Sequence, residues 1–297
     1  MSLNSHTDTL FHYTKGEETL LSILKYGLKF SYSKEDIIHD VFLAIPMISF
    51  CDIPLIMSLE HRMKYGKYAI GLSKKSLISD YPEGLNPVNY IICTQQYKAA
   101  LQLYTDYLEC KSNWKAMIYD AQRQGAPTLN FKCDGFEYFG VGLNNKASQS
   151  NAWNLFNEIG NKHRYAISML GNMKKYEYSE KDKTQINYDE CEWRLVIPEN
   201  AKLSDQSLCK WYWQKKEYET WRRSVETPFV PGAPPFVFDV SDINYIIIND
   251  ESSRPIFLDK INKLDSICGK IMTKEEKSIL ISKIMSFDQI NNSLDTV

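Results

Sequence analysis

Polar and apolar residues alternate one by one through Cys191-Glu192-Trp193-Arg194-Leu195, which predicts a strand. Cys191, Trp193 and Leu195 take one face, and apolar Trp193 and Leu195 mark it as the core side. Glu190, Glu192 and Arg194 take the other face, which the pattern turns toward solvent or a cleft. Strand patterns also cover residues 9–14, 47–52, 67–73, 87–94, 236–240 and 245–249. Helical spacing covers residues 16–26, with Gly27 just past the end, and about 54–65, which Pro54 opens and Gly66 closes.

The middle of the chain has a different texture. Ala99, Leu101, Leu103, Tyr107, Leu108, Trp114, Met117 and Ile118 fall at roughly helical spacing with no breaker before Gly125, predicting two helices or one bent one. Residues 131–150 read as loop or short strand and 151–170 as helical again, and the tail from about 271 as helical at most. The expected organisation is one α+β domain over 1–297 with a mainly helical insertion at about 95–170.

Composition narrows the function classes. A formal charge of −2 and a pI near 6.2 argue against a protein whose main business is coating nucleic acid. A local basic patch remains open: Trp211, Tyr212, Trp213, Tyr218 and Trp221 interleave with Lys210, Lys215, Lys216, Arg222 and Arg223, a pattern that stacks bases or docks its rings on the core. Seven scattered cysteines with no C-x-x-C pair fit a reduced compartment, and five scattered histidines give no metal-ligand spacing, so no metal is predicted. The N-terminus is polar, and no apolar run approaches the roughly 20 residues of a membrane helix, so the expectation is a cytoplasmic protein outside the membrane.

Two elements carry candidate chemistry. A histidine-bearing first strand, Leu10-Phe11-His12-Tyr13-Thr14, and a late strand bearing Glu190 and Glu192 form the arrangement that NAD-cleaving transferases use. Transfer of ADP-ribose passes through an oxocarbenium-like ribose, which needs a carboxylate at the ribose, hydrogen-bonding groups and an aromatic wall. His12 with Thr14 suits the adenosine-side ribose, Tyr13 or Tyr68 a ring, and Glu192 or Glu190 the nicotinamide ribose. Cys51 beside Asp52, with His61 following, is a weak nucleophile set, and Gly135, Gly140 and Gly142 match neither a P-loop nor a dinucleotide fingerprint.

The chain resembles the AbiGi proteins of bacterial abortive-infection phage resistance. The likeness lies in Phe11-His12-Tyr13-Thr14 with Gly27-Leu28, Ile48-Ser49-Phe50-Cys51-Asp52-Ile53-Pro54-Leu55, Tyr68-Ala69-Ile70-Gly71-Leu72, Asn86-Pro87-Val88 and Tyr188-Asp189-Glu190 with Glu192-Trp193-Arg194. These blocks come in the family's order and span about 10–248. The family in turn looks like a distant relative of the DarT-type ADP-ribosyltransferases, which modify DNA. That likeness implies a split antiparallel sheet flanked by helices, with NAD as substrate at His12 and Thr14. It also implies a substrate side at Arg62, Tyr65 and Arg194, and Glu192 as the catalytic carboxylate. AbiGi proteins are also described as antitoxin-like partners of a toxin, AbiGii. Two functions follow as expectations. One is NAD-dependent transfer of ADP-ribose to nucleic acid or protein. The other is a non-catalytic antitoxin or sensor that binds a cognate toxin or phage protein.

Overall fold

The computed structural model describes residues 7–38, 41–80, 84–92, 94–123, 128–133, 136–141, 158, 161–162, 165–166, 168–180 and 183–292. Strand β1 (Thr9–Thr14) leads into α1 (Glu17–Tyr26), whose Glu17 and Glu18 at the start and Lys25 at the end complement the helix dipole. A long hairpin follows, β2 (Ser31–Ile38) and β3 (Val41–Cys51). A 3₁₀ turn (Leu55–Met57) precedes α2 (Leu59–Tyr65), β4 (Tyr68–Ser73), α3 (Lys74–Asp80), β5 (Leu85–Pro87) and β6 (Asn89–Ile91). Next come α4 (Thr94–Arg123), the hairpin β7 (Thr128–Cys133) and β8 (Phe136–Val141), then β9 (Met173–Lys175), β10 (Glu177–Glu180) and β11 (Lys183–Ile186). The remainder is β12 (Glu192–Val196), α5 (Lys215–Ser224), β13 (Ile243–Ile248), α6 (Arg254–Asn262), β14 (Ser266–Ile267), β15 (Lys270–Ile271), α7 (Lys274–Ser282), β16 (Ile284–Ser286) and α8 (Phe287–Asn292).

Eight strands form one mixed sheet in the order β16-β13-β4-β1-β3-β12-β5, with β2 also on β3. Every pairing is antiparallel except β13 with β16. On β3, Met47 pairs with both Ser31 and Val196, and Cys51 with both Phe11 and Glu192. A strand has two edges, so β12 holds one, and β2 and β1 share the other. Since β2 occupies that edge from Val41 to Met47, β1 meets β3 only at Phe11↔Cys51, and the sheet opens there. At the far end of β1, Gly66 (φ 138°) lies so close that an added Cβ would sit 2.2 Å from the Thr14 carbonyl oxygen. Only glycine fits that approach.

One core fills the face beneath α1, α6 and α7, where Leu10, Leu20, Leu24, Phe50, Ile70, Leu72, Phe257 and Leu280 meet. On the opposite face a smaller cluster, Phe11, Ala69, Ile247, Phe287 and Ile290, packs with Leu55. A third gathers Tyr32, Leu43, Ile45, Met47, Trp211 and Tyr218 around the β2–β3 hairpin and α5.

Several expectations change here. The 95–124 pattern forms one 30-residue helix. Helicity over 151–170 falls largely on residues outside those described, as do Gly135 and Gly142. Residues 236–240 form no strand beyond an isolated Leu28↔Phe236 bridge, and the tail supplies a parallel edge strand, β16, besides its helices. Among the described residues, no helix is long and apolar enough to cross a membrane.

Candidate functional site

The opening between β1 and β3 is a cavity of about 230 Å³. Its lining includes His12 and Tyr13 of β1, Ser49 and Cys51 of β3, His61 and Tyr65 of α2, and Lys174, Glu190 and Glu192. Of the nine candidates from sequence, His12, Tyr13, Tyr65, Glu190 and Glu192 therefore converge on one space. His12 and Glu192 were expected on adjacent strands, but β3 stands between them and Ser49 contacts both. The Ser49 carbonyl takes the His12 Nδ1–H at 2.9 Å, and the Ser49 hydroxyl donates to Glu192 Oε1 at 2.8 Å. Because a carbonyl only accepts, His12 carries its proton on Nδ1. Burial lowers the His12 pKa more than this bond raises it, so the ring is neutral near pH 7.

The alternation through β12 puts Glu192 and Arg194 on one face as expected, yet that face is interior. Arg194 is 0 % exposed and Glu192 8 %. The reason is neighbouring charge. Arg194 Nε and Nη2 donate to the two Glu192 oxygens at 2.9 and 3.2 Å. Its Nη1 reaches the Gly171 and Met173 carbonyls, and Nη2 also reaches Glu35 on β2. All five guanidinium N–H groups thus have acceptors, which is what lets a cation sit fully buried. Lys174 Nζ, on β9, completes the set with 2.9 Å to Glu192 Oε2 and 2.6 Å to Glu190 Oε2. Each Glu192 oxygen receives two donors: Ser49 and Arg194 on one, Lys174 and Arg194 on the other.

Glu190 was expected on the strand but belongs to a 3₁₀ turn (Asn187–Glu190). Cys191 in the left-handed region (φ 42°) resets the chain after it, so Glu190 enters the cavity from outside the ladder. The Tyr65 hydroxyl donates to Glu190 at 2.6 Å, and Lys64 ion-pairs with the same oxygen. Three carboxylates, Glu35, Glu190 and Glu192, thus meet three cations, Lys64, Lys174 and Arg194.

The other candidates lie elsewhere. Thr14 is buried opposite Tyr68 of β4, Tyr68 rests on the larger core, and neither lines the cavity. The Arg62 guanidinium lies 4.2 Å over the Phe287 ring and bonds Asn249, with Arg194 locked as above, so neither guanidinium lines the cavity. Trp193 is half-buried, with Lys74 Nζ 4.7 Å over its ring, while Leu195 is buried. In the aromatic and basic segment Trp211, Tyr212 and Tyr218 are buried, and Trp213 stacks on Tyr104 at 3.9 Å. Trp211, Tyr212 and Tyr218 pack into the cluster around the β2–β3 hairpin, Tyr218 from the inner face of α5 and the other two from the segment before it. Cys51 is buried, and Asp52 is bound by Lys74 and Thr7. Among the described residues no group of three or more His, Cys, Asp and Glu could hold a metal ion.

Sequence reasoning missed Glu35, Ser49, Lys64, Tyr90 and Lys174. Tyr90 accepts the Glu192 backbone N–H at 2.7 Å. A signal for Lys174 existed in charge balance, since two carboxylates facing one arginine require another cation once the face is buried.

These charges make the fold acid-sensitive. Burial alone would raise the Glu192 pKa, but Arg194 and then Lys174 outweigh it and hold the group at about 2. For Glu190, burial is likewise overridden by Lys174, and its pKa is lowered. Glu35 goes the other way, since burial outweighs Arg194 and raises it. A lowered carboxylate pKa stabilises the fold above the unfolded value of about 4.3 and loses that contribution as pH falls toward 2. Glu192 therefore accounts for a loss of about 3 kcal/mol across that window, with Glu190 adding to it. Glu35 has the opposite sign, its contribution being lost as pH rises. Urea unfolding at pH 6 and pH 3 should show a steeper acid loss for the wild type than for Glu192→Gln; equal losses would contradict it.

Comparison with known proteins identifies the family. The family model of the abortive phage resistance protein AbiGi, described as an antitoxin, matches residues 27–249. The abortive phage resistance protein AbiGi of Lactococcus lactis subsp. cremoris is 28% identical over 263 residues, covering 83% of this chain and 87% of that protein. No solved structure matches at a significant level. The matched span takes in β2, β3, β9 and β12, the elements that hold the Glu35–Arg194–Glu192 network, and on that match the chain belongs to the AbiGi family.

Proposed function

We propose that this chain is the antitoxin component of an abortive-infection pair and acts by binding its toxin. In this reading the split sheet is an ADP-ribosyltransferase-like scaffold whose cleft is structural. The observation that carries it is the state of Glu192. A carboxylate offers about four lone-pair directions, and here four donors occupy them. None remains for a ribose hydroxyl, and the negative charge that would stabilise an oxocarbenium ion is already neutralised. The cavity, about 230 Å³, is also smaller than the roughly 300–1,000 Å³ of typical ligand sites.

NAD-dependent ADP-ribose transfer is the second reading. It is favoured by the convergence of His12, Tyr13, Glu190 and Glu192 on one opening. It requires Lys174 and Arg194 to give up Glu192 when substrate enters.

One experiment separates the two. The wild type is co-expressed with the product of the neighbouring gene, and the purified chain is incubated with labelled NAD, nucleic acid and protein. The antitoxin reading expects restored growth, no label transfer and an unmoved melting point in millimolar NAD. A bound nucleotide at a hundredfold excess over Kd would add about 2.7 kcal/mol. Label transfer that Glu192→Gln abolishes would establish the transferase instead.

A further inference from the structure

Residues 55–65 form a two-sided element. Inward, Leu55 packs on the Phe11 cluster, Ser58 and His61 are buried, and His61 and Tyr65 line the cavity. Outward, Ile56, Met57, Leu59 and Met63 are 44 %, 55 %, 61 % and 80 % exposed. Leu59 and Met63 stand at i and i+4 on one face of α2, and Ile56 and Met57 extend the exposed apolar surface onto the 3₁₀ turn before it. Scattered exposed apolar residues are ordinary, but four within eight positions are the kind of patch that marks an interaction site. Two are methionines, whose flexible side chains mould to a partner.

The border of this surface is basic. The sequence 55–67 carries Arg62, Lys64 and Lys67 against the single acid Glu60. Arg62 is committed to Phe287 and Asn249; Lys64 ion-pairs with Glu190 but keeps an exposed side chain, and Lys67 is exposed. Exposed Lys15 joins them, because the close approach of Gly66 brings the Lys15 backbone beside the end of α2. An apolar centre with a cationic rim is the anatomy of a protein interface.

We propose that the outer face of residues 55–65 is the docking surface for the toxin. The matching surface on the partner presents an apolar anchor flanked by carboxylates. This rests on the antitoxin reading above. A partner seated there lies along the helix whose inner side borders the cavity.

The test measures binding of the full-length chain to the product of the neighbouring gene. Leu59→Glu and Met63→Glu place a charge at the centre and are each expected to weaken binding about thirtyfold or more. Their melting points should not move, since both side chains are exposed. Lys67→Glu should slow association and flatten its salt dependence, as rim charges govern the on-rate. Ile279→Glu is the control, on α7 across the sheet and 48 % exposed. It should bind as the wild type does. If the wild type itself does not bind, the antitoxin reading fails. If the wild type binds and Leu59→Glu and Met63→Glu bind equally well, or if Ile279→Glu weakens binding as much, the surface is wrong while the antitoxin reading stands.

Discussion

Replacing Arg194 by methionine is expected to cost about 3–5 kcal/mol, the range for removing one partner of a buried ion pair. Methionine fills much of the volume, so the loss is electrostatic rather than a cavity. Without the guanidinium, Glu192 loses two of its four donors and Glu35 its Arg194 partner, both in buried surroundings. The Gly171 and Met173 carbonyls lose a donor as well. Arg194→Lys should recover little, because an ammonium cannot reach five acceptors spread around a plane. Adding Glu35→Gln and Glu192→Gln to Arg194→Met should restore part of the loss by removing the stranded charges. Chemical unfolding of the three variants is the measurement. A normally stable Arg194→Met protein would mean the network is not as buried as described. The same result would also undercut the structural reading of the cleft, since Glu192 would then tolerate losing its neighbours.

Trp211→Ala should be of similar size, about 3–5 kcal/mol. Trp211 is 1 % exposed and among the largest fully buried side chains. Its indole N–H donates to the Ile197 carbonyl at 2.9 Å, so truncation removes both packing and a bond. The ring edge also lies against Gly171, where an added Cβ would come within 3.0 Å of it. Trp193 serves as the comparison. Its alternation predicts a core tryptophan and the same 3–5 kcal/mol, but the ring is half-buried under the Lys74 ammonium. Trp193→Ala should therefore cost roughly half as much, about 2 kcal/mol. Thermal melts of the two alanine variants would rank them; Trp193→Ala melting lower than Trp211→Ala would reverse the assignment of the two rings.

The difference between these tryptophans illustrates what pattern could and could not reveal. Strand β12 and helix α1 were legible because polar and apolar residues alternate there with the period of the element, and β1 and β4 because they are short apolar and aromatic runs bounded by turn residues. The long strand β3 was only half visible. Its run Val41-Phe42-Leu43-Ala44-Ile45-Pro46-Met47 is apolar throughout, so it has no period, and Pro46 argues against a strand. Partner β2 is polar and charged, and only pairing with β3 makes it a strand. For the cleft, residue types at His12, Glu190 and Glu192 suggested a shared site, and they do share one. The sequence could not reveal that the cations would saturate it. Glu35 lies far from Glu192 along the chain, Lys174 sits on the separate strand β9, and neither belongs to a motif, so their role arises only when β9 and β2 are brought to β12 by folding.

The order of strands in the sheet also has a consequence in time. Cys51 of β3 must wait for Glu192 of β12, made more than a hundred residues later, and β13 for the C-terminal β16. At about 5–20 residues per second, that first interval is on the order of ten seconds of translation. Throughout it, the free edge of β3 and the unneutralised Glu35 are presented without their final partner. A freshly started chain is thus a period of vulnerability to proteases and chaperones, and the supply of finished molecules trails the start of synthesis by that delay.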